Sequence, residues 1–153
     1  MPRPLSRRAS VRLRRASQYG CPVTERHRLV RVPASSANLG PGYDVMAVAL
    51  GIVLQREVRE CGEFSVDCDL AGVPLDRDNL VVRAFETLHS ADGINFKVGG
   101  DIPLARGMGS SAAAIVAGIV AADHLFELGL SREEMLEHAN RLELHSDLPN
   151  AFD

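Results

Sequence analysis

Along the chain, the spacing of apolar positions switches between a period of two and a period near three and a half, and the switches predict the elements. Leu29, Val30 and Val32 read as a short strand ending at Pro33. A Gly/Pro/Ser/Asn-rich loop follows through Asp44. Val45 to Val58 is apolar and β-branched, with Leu54, Arg56 and Val58 opening an alternation, so a second strand is expected there. Phe64, Val66, Cys68 and Leu70 alternate with polar residues as a half-buried strand does. Asp76-Arg77-Asp78-Asn79 is a turn. Leu80 to His89 suits a helix with Leu80, Ala84 and Leu88 on one face, and Ile94, Phe96 and Val98 alternate again before Gly99-Gly100.

The most continuous helical stretch is Ser110 to Leu128, rich in Ala and Leu and closed by Gly129. Its small residues fall on every face, which predicts a helix buried against a sheet. A second helix starts at Ser131, where Glu134 completes a capping box, and runs to about Leu144. Strands interleaved with helices, and at least two expected hairpins, give an α+β fold.

Composition narrows the classes. The chain has 153 residues, 46% hydrophobic and 24% charged, which matches one ordinary globular domain. Its longest apolar stretch, Ala112 to Ala122, contains Gly118 and stops at Asp123, short of the ~18 residues of a membrane span. Cys21, Cys61 and Cys68 are an odd number without metal-like spacing, so a disulfide framework is not expected. No Trp and few aromatics leave no stacking platform for nucleic acid.

The net charge of −3 conceals a split: residues 1–28 hold eight Arg against one acid, Glu25, while the body is acidic. This arm lacks the continuous apolar region of a secretory signal. Its Arg-rich, acid-poor composition is that of an organelle transit peptide, and it repeats Arg-Arg-Ala-Ser at Arg7–Ser10 and Arg14–Ser17. Targeting and a phosphorylatable tail are the functional readings; a disordered extension without assigned function is the simpler one. The domain division is therefore a basic arm, 1–28, and a folded body, 29–153.

Chemistry concentrates in Gly107-Met108-Gly109-Ser110-Ser111, directly before the long helix. Glycines let the backbone turn its amides inward, and the helix start adds unpaired N–H groups and a positive dipole end. Two hydroxyls there can bind phosphate or complete a Mg²⁺ shell. No Lys follows the glycines and the third Gly of a dinucleotide fingerprint is missing, so neither common phosphate loop applies. Alone, the segment reads more readily as an ordinary Gly/Ser helix cap than as a phosphate site. About seventy residues upstream, Pro33-Ala34-Ser35-Ser36-Ala37-Asn38-Leu39-Gly40-Pro41-Gly42-Tyr43-Asp44 forms a second glycine-shaped loop that presents Asn38 and Asp44.

Together these two loops resemble the first two signatures of the GHMP small-molecule kinases. Pro103 to Ala113 matches the P-x-x-x-G-x-G-S-S-A-A phosphate motif, and the first loop is similar to the version found in the family's homoserine-phosphorylating branch, with Tyr43 where Phe is common. The resemblance covers roughly residues 29–147. It implies the family's N-terminal domain, a mixed β-sheet with helices packed on one face, and a transfer of the ATP γ-phosphoryl group to a small alcohol with Mg²⁺. It implies that Pro103, Arg106, Gly107, Met108, Gly109, Ser110, Ser111 and Ala112 hold the nucleotide, with Asn79 at the adenine. Ser111 and Glu143 would be the magnesium ligands; Asn38, Asp44 and His145 would recognise L-homoserine, and Asn38, Ser111 and Glu143 would form the catalytic set. No dedicated base is implied.

Family members run to about twice this length, so the resemblance also implies a missing C-terminal domain, with its substrate-binding arginines. Of the pattern E-G-H-P-D-N the chain keeps Glu143, His145 and Asp147 only. An inactive remnant that at most binds nucleotide, and a kinase for another alcohol, stay open beside the homoserine reading. Partners implied are ATP and L-homoserine, with neither nucleic acid nor membrane, in a cytoplasmic enzyme of threonine biosynthesis that often forms homodimers.

Overall fold

In a computed structural model, residues 26–102 and 106–145 are described, without the side chains of residues 43, 44, 144 and 145. Residues 1–25 of the basic arm lie outside them, whereas His27 and Arg28, placed in the arm by composition, open the first strand. The described residues form a four-stranded mixed sheet with three α-helices. In chain order these are β1 (His27–Ala37), a 3-10 turn (Gly40–Val45), β2 (Ala47–Glu60), β3 (Ser65–Cys68), α1 (Leu80–Glu86), β4 (Ile94–Gly100), α2 (Ser110–Phe126) and α3 (Arg132–His145).

The strand order is β1-β2-β4-β3. Among the described residues β1 and β2 form the one hairpin, and β4 then pairs antiparallel with the other edge of β2. The expected second hairpin does not form, because β3 runs parallel to β4 on its outer side. A parallel pair needs a crossover, and α1 supplies it. β1 also continues past Pro33, its expected end. Pro33 still faces Val53; the register then shifts, leaving Ala34 without a ladder partner, and pairing resumes from Ser35 opposite Ala49 to Ala37 opposite Ala47.

Alternation sorts the sheet into two faces. Val30, Val32, Leu54, Val58, Ile94, Phe96 and Val98 are buried beneath α1 and α2, whereas Leu29 is 52% exposed on the opposite face. That open face carries Glu57 with His27 and Arg59. Burial works against its ionisation, but the hydrogen bond and charge of Arg59, with His27 beside it, outweigh it, leaving the carboxyl below its usual range. Arg56 follows the buried alternation. Its Nη1 donates to the Gly99 carbonyl at 2.8 Å and to Gln55 at 3.2 Å, its Nε has no partner, and burial pushes the guanidinium down to about 10.

α1 is shorter than predicted; the expected face is in the core, with Ala84 buried and Leu80 and Leu88 packed against it, and Val81, Val82 and Phe85 are buried as well. Phe85 meets Phe96 edge-on at 5.1 Å, which ties α1 to the sheet. As predicted, α2 is buried on most sides, through Ala113, Ala114, Ala117, Gly118, Ala121 and Ala122. It stops at Phe126, two residues early, and Glu127 rather than Gly129 is its left-handed cap. Asp123 holds that turn: its carbonyl accepts from Leu128 N at 3.0 Å and its carboxylate from Leu130 N at 2.9 Å. The capping box of α3 is present, with Glu134 accepting from the Ser131 amide and hydroxyl at 2.8 Å each. α3 packs on α2 and α1 rather than on the sheet.

The backbones of α1 and α2 approach closely where the helices meet. A Cβ on Gly118 would run into the Val81 carbonyl and lie 2.7 Å from Ala84 Cβ and 3.0 Å from Phe85 N. Gly118→Ala should therefore lose stability, by about 1–3 kcal/mol of overpacking, although alanine is favoured over glycine by ~1 kcal/mol inside a helix. Urea denaturation checks it; a variant as stable as the parent would show that the helices part at no cost.

Candidate functional site

The site is built at one end of the sheet, where β1 leaves the ladder and α2 begins. Pro41 lies in the first turn of the 3-10 segment, and the loop closes on itself through Leu39 N to Met46 O at 3.5 Å and Gly42 N to Leu39 O at 3.0 Å. Asn38, at the head of this loop, has a left-handed backbone (φ 57°) and an exposed side chain. Asp44 lies within the 3-10 turn, and its side chain lies outside the described residues.

Seventy residues on, Gly107 and Gly109 both take positive φ, 66° and 64°. Between them Met108 packs its side chain against the core. Gly109 is the N-cap of α2, and its carbonyl accepts from Ala113 N at 2.9 Å. No side chain caps this helix start and no acid occupies its first turn. The first amides are therefore available to an external acceptor, and the dipole favours an anion there. Ser111 is exposed at this end, Ser110 and Ala112 are half-buried, and Arg106 is exposed. Pro103 lies outside the described residues.

The two loops meet. Ser35 N donates to the Met108 carbonyl at 3.1 Å, and the Ser35 side chain lies over Gly109 Cα, so that a Cβ there would fall on its hydroxyl. Ser35 was not singled out from sequence; a serine at a strand end carries no local mark of a partner seventy residues away.

The other candidates divide. Val116, Ile119 and Val120 of α2 line one groove with Arg132, Met135, Leu136 and Ala139 of α3. Continuing this antiparallel register brings the last turn of α3, with exposed Glu143, to the same end of the pair as Ser111. His145 ends α3; its side chain, like Asp147, is outside the described residues. Asn79 is the N-cap of α1 and almost wholly buried. Its Oδ1 accepts from Val81 N at 3.0 Å and its Nδ2 donates to the Pro74 carbonyl at 2.8 Å. That gives it a structural task regardless of any nucleotide. Among the described residues, no cluster of three or more His, Cys, Asp or Glu could hold a metal by itself, and no helix is long and apolar enough to cross a membrane. A divalent ion here would take oxygen donors such as Ser111 and Glu143 together with oxygens of its ligand, which suits Mg²⁺.

Comparison with known proteins agrees with this geometry. The family model described as GHMP kinases N terminal domain matches residues 79–152. A homoserine kinase of Lactobacillus acidophilus is 43% identical over 121 residues, which is 78% of this chain and 42% of that protein. One from Streptococcus agalactiae is 47% identical over 120 residues, covering 76% and 41%. The chain thus spans about two fifths of the length of these relatives. Among solved structures, the homoserine kinase of Cytophaga hutchinsonii superposes with a TM-score of 0.67 at 27% identity, over 83% of this chain and 44% of that one. The mevalonate kinase of Methanococcus jannaschii shares the fold, with a TM-score of 0.60 at 16% identity over 76% and 46%.

The two loop glycines differ in their surroundings. A Cβ on Gly107 meets nothing within 4 Å, whereas one on Gly109 meets Ser35. Gly107→Ala should cost only the left-handed backbone, ~1–2 kcal/mol; Gly109→Ala should cost more. Paired chemical-denaturation curves check the order, and equal losses would contradict the contact.

Proposed function

The chain belongs to the GHMP kinase family, whose N-terminal domain it carries, and we propose on that premise that the protein transfers the γ-phosphoryl group of ATP to the side-chain hydroxyl of L-homoserine. The observation that carries this is the junction of two glycine-shaped loops at the uncapped start of α2. The Gly107–Ser110 backbone and the α2 dipole suit a polyphosphate, with Arg106 beside it. Ser111 and Glu143, at the same end of the α2–α3 pair, supply hard oxygen donors for Mg²⁺. When bound, that ion offsets phosphate charge as the transfer proceeds.

Asn38 and Asp44 hold the acceptor in this reading. A carboxylate answers the substrate's ammonium group, and the Asn38 amide orients its polar atoms. His145 joins them from the end of α3. In the transfer the bond between the γ-phosphorus and the β,γ-bridging oxygen breaks, a bond to the homoserine hydroxyl oxygen forms, and the hydroxyl proton leaves. Alignment and charge neutralisation account for most of the acceleration in such reactions, so no residue is assigned as base. Asn79 enters the reading as the adenine contact only through its resemblance to that position in the family, beside its capping of α1. A cytoplasmic setting, a step in threonine biosynthesis and a homodimer accompany the reading.

The test is ADP release from MgATP on this chain, with and without L-homoserine, beside a calorimetric titration of MgATP. Homoserine-stimulated release, abolished in Ser111→Ala at an unchanged melting temperature, is the expected result. Binding without stimulated release points instead to a nucleotide-binding domain that turns over only with further chain or a partner. Stimulation by mevalonate but not homoserine would replace the substrate, and an unaltered rate in Ser111→Ala would remove its role at the metal.

A further inference from the structure

We propose that Ser35 is a positioning residue that sets the shape of the nucleotide loop from the strand carrying the acceptor loop; the proposal rests on the nucleotide reading above. Ser35 stands where β1 rejoins the ladder after the register shift that follows Pro33, paired with Ala49 of β2. One side of the residue is thus held by the sheet. The other reaches the Gly-rich loop twice, through the amide donated to the Met108 carbonyl at 3.1 Å and through the side chain over Gly109.

This makes glycine necessary at 109 for two independent reasons. Its φ of 64° is a conformation that L side chains rarely adopt. A Cβ would also strike the Ser35 hydroxyl, with the Ser35 carbonyl at 3.4 Å and its Cβ at 3.5 Å behind it. Gly107 shares the first reason and lacks the second, since its surroundings are open. Position 35 is constrained in turn: a hydroxymethyl group fits over Gly109, and a branched side chain would push the glycine and the first turn of α2 away.

The consequence is functional because Gly109 is the N-cap of α2. Amides that bind phosphate must be held to within about 0.5 Å of their working positions. Shifting Gly109 moves the amides of Ser110 and Ser111 with it. Only two residues separate Ser35 from Asn38, itself in a left-handed conformation, so a shift at Ser35 reaches the acceptor loop through a short length of chain. Ser35 is therefore the point through which the two loops feel one another.

A two-by-two set at positions 35 and 109 tests this in the full chain: parent, Ser35→Ala, Gly109→Ala and the double variant, with Ser35→Val as a crowding variant. MgATP affinity and melting temperature are read for each. Ser35→Ala should stay within about threefold of the parent, while Gly109→Ala and Ser35→Val weaken binding by about tenfold or more. The double variant should recover about threefold or more of the Gly109→Ala loss, because it removes the atom that the new Cβ meets first. Strict additivity, or parent-like binding by Ser35→Val, would overturn the proposal.

Two measurements need no nucleotide. Hydrogen exchange at the Ser35 amide should be slowed in the parent, and exchange as fast as in an exposed amide would refute the clamp. Ser35→Ala should likewise relieve part of the melting-temperature loss of Gly109→Ala, and no relief would refute the contact. A chain that passes both but does not bind MgATP would overturn the nucleotide reading while leaving the geometry standing. Binding with a failed clamp would do the reverse.

Discussion

The close approach of α1 to α2 at Gly118 is the constraint on which the rest of this domain depends. With no side chain at 118, the α1 backbone lies directly against α2. That closeness lets one helix seven residues long reach the sheet through Phe85 while α2 keeps its own contact with β1 and β2. The alanines around it serve the same end. They surrender buried area per residue and gain short distances between backbones, so a helix covered on most sides can be placed with little freedom. The start of α2, where the chemistry is expected, inherits that rigidity.

From this fixed axis the site is assembled by contacts between segments distant in sequence. The end of β1 reaches the Gly-rich loop through Ser35, and α3 folds back along α2 so that its last turn returns to the end where α2 began. The first approach joins a strand held by the sheet to a loop that Met108 anchors in the core. Donors of a phosphate site need that support, because glycine loops supply reach and exposed amides but no side chains to lock themselves.

The sheet contains one position at odds with its surroundings. Arg56 follows Leu54 and precedes Val58 in the buried alternation, and it sits among apolar neighbours with only carbonyl acceptors for its Nη1. Burial lowers its affinity for the proton and the bonds to Gly99 and Gln55 offset part of that cost. In the sequence it was visible as part of a period-two pattern; its burial was not, because a long cationic side chain more often ends in water.

What the sequence determined alone was local: strands where apolar residues alternate, the capping box of Ser131 and Glu134, a helix of small residues beginning after Gly109, and two glycine-shaped loops specific enough to mark a family. These follow from backbone sterics, hydrogen bonds within a few residues and spacing on one face, all of which nearest neighbours decide. Only the tertiary structure decided that β4 separates β2 from β3, that β1 runs past Pro33, that Glu127 ends α2, and that Asn79 is engaged in capping α1. It alone placed Ser35 against Gly109. The reason is common to all of them: strand order, the fit of one surface on another and the partner of a buried polar group depend on segments that meet only when the chain is folded, and no local pattern of residues encodes which segment that will be.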